Sequence, residues 1–181
     1  DVNADLRTIP RFEGKTLGIF GAGAIGRAVG ARARAFGMLT VATYRRPEVA
    51  EPELPHVPLE RLLADSDALV LTASLNPSTL GIIDARALSG ARRGLILVNV
   101  GRGGLIVERD LAKALDDGIV AVAALDVRLA EPPAPSNDVL GGRPDVIQTP
   151  HSAGVSVEAL ASLHRLASDG IEALLRRGGR L

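Results

Sequence analysis

The runs Leu95-Ile96-Leu97-Val98 and Val120-Ala121-Val122-Ala123-Ala124-Leu125 are apolar at every position, not at every second one. An alternating strand has one dry face. A strand that is apolar throughout demands cover on both faces, which in α/β proteins is the condition of parallel strands packed between helices. Four shorter runs also read as strands: Leu17–Phe20, Leu39–Thr43, Ala68–Thr72 and Val146–Gln148. Helical patterns alternate with them. Ile25–Phe36 is stopped by Gly37, Leu59–Ala64 follows Pro58, and Asp84 caps a short helix through Leu88. Glu108–Leu115 closes near Gly118, and Ser156 caps a final helix to about Arg177, before Gly178-Gly179. Strand–helix alternation of this kind predicts α/β architecture, a doubly wound parallel sheet in three αβα layers.

Composition sets the limits. The chain has 181 residues, enough for a single domain with a real core. Apolar residues make up 46% but aromatics only 2%, so the core must be aliphatic. Formal net charge is zero and there is no basic tract, which leaves nucleic acid and anionic membranes without electrostatic support as partners. There is no cysteine, which excludes disulfides, thiol catalysis and thiolate metal sites; no metal site is read from the chain. No apolar run has the length of a membrane span. Residues 1–14 read as a polar lead-in broken by Pro10 and Gly14. The start is too polar for a signal peptide and lacks Met, so it reads as an internal point of a longer chain; the default location is the cytoplasm. The proline-rich loop at 47–58 is too short to separate domains.

After the first apolar run stands Gly21-Ala22-Gly23-Ala24-Ile25-Gly26. Gly21 allows the tight turn out of the strand, Gly23 lets backbone approach a pyrophosphate, and Gly26 lets the helix pack close to the sheet. The helix start then offers free N–H groups and partial positive charge to phosphates. By spacing alone the motif is weak; following a strand and opening a helix within a βαβ unit, it predicts a Rossmann dinucleotide site. At the end of the second strand, where NAD-binding versions carry an acid, the chain has Tyr44-Arg45-Arg46, with no acid before Glu48. Two guanidiniums suit a 2′-phosphate, so NADP is expected over NAD. The other reading of this pair is ordinary solvated surface charge.

Three polar residues follow the later strands: Arg102 in Asn99-Val100-Gly101-Arg102-Gly103-Gly104, Glu131 in Asp126-Val127-Arg128-Leu129-Ala130-Glu131-Pro132, and His151 in Thr149-Pro150-His151-Ser152-Ala153-Gly154. Ligands bind outside the carboxyl ends of parallel strands. Reduction of a 2-keto acid needs a forked cation for the carboxylate, and Arg supplies it. It needs a proton at the carbonyl oxygen, which imidazole can give. A carboxylate beside the imidazole would fix the ring and raise its pKa. Asp126 could accept from a nicotinamide carboxamide. Taken singly, each residue also reads as a surface charge or a turn residue; together, at successive strand ends, they favour hydride-transfer chemistry. His56 and His164 read as surface residues. No nucleophile elbow surrounds Ser152, which rejects a hydrolase.

These segments, with Gly14-Lys15-Thr16-Leu17-Gly18-Ile19 and Asn76-Pro77-Ser78-Thr79, resemble the D-isomer-specific 2-hydroxyacid dehydrogenases, over their cofactor-binding domain and nearly the whole chain. The resemblance implies His151 as acid/base, Glu131 as its partner and Arg102 as substrate anchor. It implies cofactor contacts from Gly21, Gly23, Ala24, Ile25 and Gly26, from Tyr44, Arg45, Arg46 and Thr72, and from Val100, Gly101, Asp126, Ser152 and Gly154. Tyr44-Arg45-Arg46 is similar to the NADP-preferring glyoxylate/hydroxypyruvate reductase branch. A small 2-keto or 2-hydroxy acid is the implied substrate, and a homodimer the implied assembly.

The chain departs from the family pattern where His and Pro are usual after the third strand; Thr72 and Ser74 stand there. Val107 replaces the usual acidic N-cap, an expected loss of about 1 kcal/mol of helix stability. Family members are similar in having a second, substrate-binding domain; residues 15–178 are expected to be the dinucleotide-binding domain, residues 1–14 a lead-in from the missing domain, and the substrate domain absent from this chain. The isolated domain is expected to bind cofactor and turn over weakly or not at all, since its cleft cannot close. The alternative function is a dinucleotide-sensing, corepressor-like binding module. Formate and phosphite dehydrogenases share the framework, so the sequence leaves the substrate open.

Overall fold

The structure, a computed structural model, describes residues 11–134, 136 and 138–177; the first ten residues of the expected lead-in and the Gly178-Gly179 stop lie outside them. Two compact units are distinguished, Asp1–Thr149 and Pro150–Leu181. The first carries a six-stranded parallel sheet: β1 (Thr16–Phe20), β2 (Leu39–Thr43), β3 (Ala68–Leu71), β4 (Leu95–Asn99), β5 (Val120–Leu125) and β6 (Val146–Gln148). Its strand order is β2-β1-β3-β4-β5-β6. Every expected strand is present. β3 stops at Leu71, one residue early, and β4 runs one further, to Asn99.

The helices of this unit are α1 (Ala24–Ala35), α2 (Leu59–Asp65), α3 (Ala85–Ser89) and α4 (Glu108–Asp116). Asp84 caps α3 as expected, its carboxylate accepting from the Ala87 N–H at 2.8 Å. α4 starts on Val107 without a side-chain cap, but Glu108 and Asp110 stand in its first turn, where negative charge favours the helix dipole. Asp110 also accepts from the Ala85 N–H at 2.8 Å, tying the starts of α3 and α4 together.

Strand pairing sorts the side chains onto two faces. On one, Phe20, Leu69, Leu71, Leu97, Ala123 and Leu125 pack against Leu62 and Leu63 of α2, Leu88 of α3, and Leu111 and Leu115 of α4. On the other, Leu17, Ile19, Ala42 and Val70 pack against Ala33 of α1 and against Leu54 and Tyr44. The expectation that both faces are covered holds only in part. Ile96 of β4 and Ile147 of β6 remain 44% and 59% exposed. The reason is topological: α2, α3 and α4 all contribute to the first cluster, while α1 alone serves the second, over β1 and β2.

The second unit comprises the turns after Thr149 and the helix α5 (Val157–Arg177). Ser156 caps α5 as expected, its hydroxyl accepting from the Ala159 N–H at 3.0 Å.

Leu97 is fully buried at the centre of the first cluster. Leu97→Ala is expected to destabilise the chain by about 2–5 kcal/mol. Urea denaturation should show a lower midpoint with an unchanged slope.

Candidate functional site

The strand order reverses at β1: the chain leaves β1 to one side to form β2, then crosses to the other side to form β3. Such a switch point opens a crevice beyond the strand ends. Its walls are held together by glycine. Gly21 has φ +103°, and a Cβ there would stand 2.6 Å from the Ala73 backbone. A Cβ on Gly26 would stand 2.5 Å from the Gly21 carbonyl oxygen. Thr72, in the position where His was expected, donates its hydroxyl to that same carbonyl at 2.7 Å. The departure at 72 thus braces the glycine turn. Gly23 is the opposite case: no atom lies within 4 Å of where its Cβ would be. α1 begins just after it with no side-chain cap and no acid in its first turn.

A cleft of about 550 Å³ spreads from this point. Gly21, Gly23 and Ala24 line it from β1 and α1, Tyr44, Arg45 and Arg46 from the end of β2, and Thr72, Ala73 and Ser74 from the end of β3. The structure therefore gathers most of the predicted adenine-side residues. Ile25 is exposed on α1 outside this lining, and Gly26 is buried beneath the turn. Arg27, Asn76, Ser78 and Thr79 also line the cleft and had no predicted role there.

The arginines divide by their partners. Arg27 is committed: it pairs with Glu51, donates to the Ala22 and Val49 carbonyls, and lies 5.5 Å from the Tyr44 ring centroid. Arg45 and Arg46 are exposed and form no ion pair among the described residues. The Tyr44 ring is a wall, not a donor to the cleft, because its hydroxyl donates to the Leu54 carbonyl at 2.9 Å. His56 corrects the sequence reading. It is half-buried, and its Nδ1 accepts from the Tyr44 N–H at 3.2 Å, closing the end of β2.

A dinucleotide fits these groups. The uncapped start of α1 beside the space over Gly23 suits a pyrophosphate, and the flanking walls are neutral or cationic.

A second group of predicted residues follows β4 and β5. Asn99, buried at the end of β4, shapes the loop that carries Val100, Gly101 and Arg102. Its side chain accepts from the Gly101 N–H at 3.0 Å and donates to the Arg102 carbonyl at 3.0 Å. Val100 N–H bonds to the Leu71 carbonyl, and Gly101 is buried against the Ala73 carbonyl. Arg102 is exposed, with its guanidinium donating to the Gly101 carbonyl at 2.7 Å. Asp126 is buried and accepts from the Thr149 hydroxyl at 2.5 Å. Glu131 is exposed and accepts from the Arg128 N–H at 3.0 Å.

Arg128 itself is 7% exposed, which nothing in the sequence reading foresaw. Its guanidinium bonds Glu108 through Nε and Nη2, at 2.9 and 3.0 Å, Asp138 through Nη2 at 2.6 Å, and Gln148 through Nη1 at 2.5 Å. These bonds hold the Glu108 and Asp138 carboxyls below their ordinary pKa, against a burial that pushes both up. His151, Ser152 and Gly154 belong to the second unit, where all three are exposed. His151 has φ +53°, a left-handed conformation uncommon for a residue with a Cβ.

A family model described as "D-isomer specific 2-hydroxyacid dehydrogenase, NAD binding domain" matches residues 3–153. The chain is 38% identical over 167 residues to a hydroxypyruvate reductase of Blautia hydrogenotrophica, covering 91% of this chain and 52% of that protein. It is 39% identical over 163 residues to a glycerate dehydrogenase of Methylorubrum extorquens, covering 90% and 50%. The crystal structure of a glyoxylate reductase from Paecilomyes thermophila superposes with a TM-score of 0.86 at 37% identity, over 93% of this chain and 52% of that one. The chain spans about half the length of the curated relatives it matches. Among the described residues no helix is long and apolar enough to cross a membrane.

The Arg128 cluster makes stability depend on acid. Carboxyls with lowered folded pKa stabilise above the ordinary carboxylate range and lose that contribution as pH falls through the folded values. Denaturation between pH 7 and pH 3 should therefore show stability falling below about pH 4. Glu108→Gln should flatten that fall; an unchanged acid profile would mean that the pair is not formed.

Proposed function

The chain belongs to the D-isomer specific 2-hydroxyacid dehydrogenases through their NAD-binding domain, and from that premise we propose that it is the cofactor half of an NADP(H)-preferring reductase of small 2-keto acids. The observation that carries the cofactor preference is the end of β2. Arg45 and Arg46 line the cleft, are exposed, and are not neutralised by any acid among the described residues. A 2′-phosphate placed there would meet two guanidiniums able to give charge-assisted hydrogen bonds. A ribose 2′-hydroxyl would find no carboxylate to accept from it, which weakens the case for NAD.

When bound, the reduced nicotinamide supplies a hydride. The chain's own residues then have separable tasks. The N–H groups opening α1 hold the pyrophosphate. Asp126 accepts from the carboxamide, and its bond with Thr149 keeps its carboxylate in one orientation. Arg102 takes the substrate carboxylate in its fork, for which its guanidinium must leave the Gly101 carbonyl. His151 gives a proton to the carbonyl oxygen as that oxygen gains charge, and Glu131 supports the charged imidazole. A left-handed backbone at a histidine is strain of the kind that accumulates at functional positions, and it favours an active role for His151.

In this reading a second domain completes the substrate pocket, as the double length of the relatives suggests. Residues 15–178 form the dinucleotide-binding domain. The assembly is a homodimer, a reading supported by the exposed apolar side chains Leu160, Leu163, Leu166, Ile171 and Leu174 along α5. The setting is the cytoplasm, where reduced pyridine nucleotides are regenerated.

Titration with NADPH and NADH, followed by nicotinamide fluorescence, tests the cofactor preference. NADPH is expected to bind more tightly. Replacing both Arg45 and Arg46 by Ala should weaken NADPH about tenfold to a hundredfold, in line with the loss of one or two charged hydrogen bonds. NADH affinity should stay unchanged. Equal affinities in the unaltered protein would remove the preference.

A further inference from the structure

Arg128 is a buried cation in a loop, surrounded by more carboxylate than it can neutralise. Its side chain is 6% exposed, and those of Glu108 and Asp138 are 20% and 16% exposed. Burying such charges is a poor way to gain stability, because desolvation offsets much of the attraction; well-packed apolar side chains would serve as well or better. What a satisfied buried cluster does provide is a single geometry.

The geometry in question spans every strand end beyond β3. Through Glu108 the guanidinium reaches the first turn of α4, and Glu108 in turn accepts from the Leu129 N–H at 2.9 Å. Through Gln148 it reaches the last residue of β6, next to Thr149, which holds Asp126. Through Asp138 it reaches the loop that leads into β6. Its own N–H holds Glu131. Its backbone also comes close to the β4 loop: a Cβ on Gly103 would lie 1.9 Å from the Arg128 carbonyl carbon and 2.0 Å from its oxygen. Gly103 directly follows Arg102.

We propose that Arg128 is the positioning residue for the nicotinamide end of the site, clamping the Asp126–Glu131 segment against the Gly101–Gly103 loop so that Asp126 and Arg102 keep a fixed spacing. This rests on the cofactor reading above and deepens it. Arg128 is buried and its guanidinium is bonded to Glu108, Gln148 and Asp138, not left open to a ligand. It acts through the segment on which Asp126 and Glu131 stand. The adenine end, built from β1, β2 and β3, shares no residue with the clamp.

That separation supplies the test. Binding to the full chain is measured with two probes. NADPH reports the nicotinamide end by the rise in its fluorescence on binding. Adenosine 2′,5′-bisphosphate occupies the adenine end alone, and its affinity is read by calorimetry. Arg128→Met keeps the alkyl stem and removes the fork. It is expected to lose at least half of the fluorescence rise while the bisphosphate Kd stays within about twofold of the unaltered protein's. Arg128→Lys, which keeps a cation but cannot reach all its acceptors, should give an intermediate rise. Glu108→Gln removes one charge and leaves the guanidinium with its other partners. It serves where Arg128→Met does not fold, and should shift the same signal in the same direction.

A full fluorescence rise in folded Arg128→Met or Glu108→Gln would overturn the proposal. So would an equal loss at both ends, which is what a merely structural residue would produce. If the unaltered protein binds neither probe, the cofactor reading falls and this proposal with it. If it binds both and the variants match it, only the positioning role is lost.

Discussion

Parallel strands cannot be joined by a tight turn; the chain must cross back over the sheet before it can pair again. Every strand of this sheet therefore ends at one edge, and every loop that leaves that edge is brought near its neighbours. The rest of the molecule depends on this constraint. It places Gly21, Tyr44 and Thr72 around one cleft, and it places Arg102 and Asp126 at the next strand ends along. It also forces backbone against backbone where the edge is crowded, at Gly21 against Ala73 and at Gly103 against Arg128.

The edge is divided electrostatically. At the β2 end, Arg45 and Arg46 stand in solvent without acidic partners among the described residues, so their charge is unopposed there. Arg27, a short way along the same cleft, is neutralised by Glu51 and packs on Tyr44, which is the state of a cation that holds a wall. At the far end Arg128 is enclosed and fully engaged. One residue type thus stands in three electrostatic settings, defined by solvent access and by the nearest carboxylate.

The strands and the glycine turn could be read from the chain because their signals are local. An aliphatic run such as Leu95–Val98 has no other stable environment, and the Gly21–Gly26 spacing repeats a backbone requirement. The caps at Asp84 and Ser156 were legible for the same reason. What escaped was long-range. Arg128, in a polar loop, has the sequence context of a solvated charge; its partners Glu108, Asp138 and Gln148 are ten to twenty positions away and meet it only once the sheet has formed. His56 reads as a surface residue in the sequence because its bond to the Tyr44 N–H crosses the proline loop. The open flank at Ile96 and Ile147 was missed because hydrophobicity states which residues seek cover, not whether a helix of this unit lies over them. The alternation of apolar runs was silent about the division at Thr149 as well.

The contact between Gly103 and the Arg128 carbonyl also governs how this chain can change. Two loops held at that distance do not tolerate substitutions independently. Any side chain at 103 displaces the segment that carries Glu131, so an exchange there becomes neutral only if the backbone around Arg128 has already moved. A change at 128 that loosens its loop, conversely, opens room at 103 that was not there before. Drift at this edge must proceed in ordered pairs, and the order in which two mutations arrive decides whether the intermediate protein works.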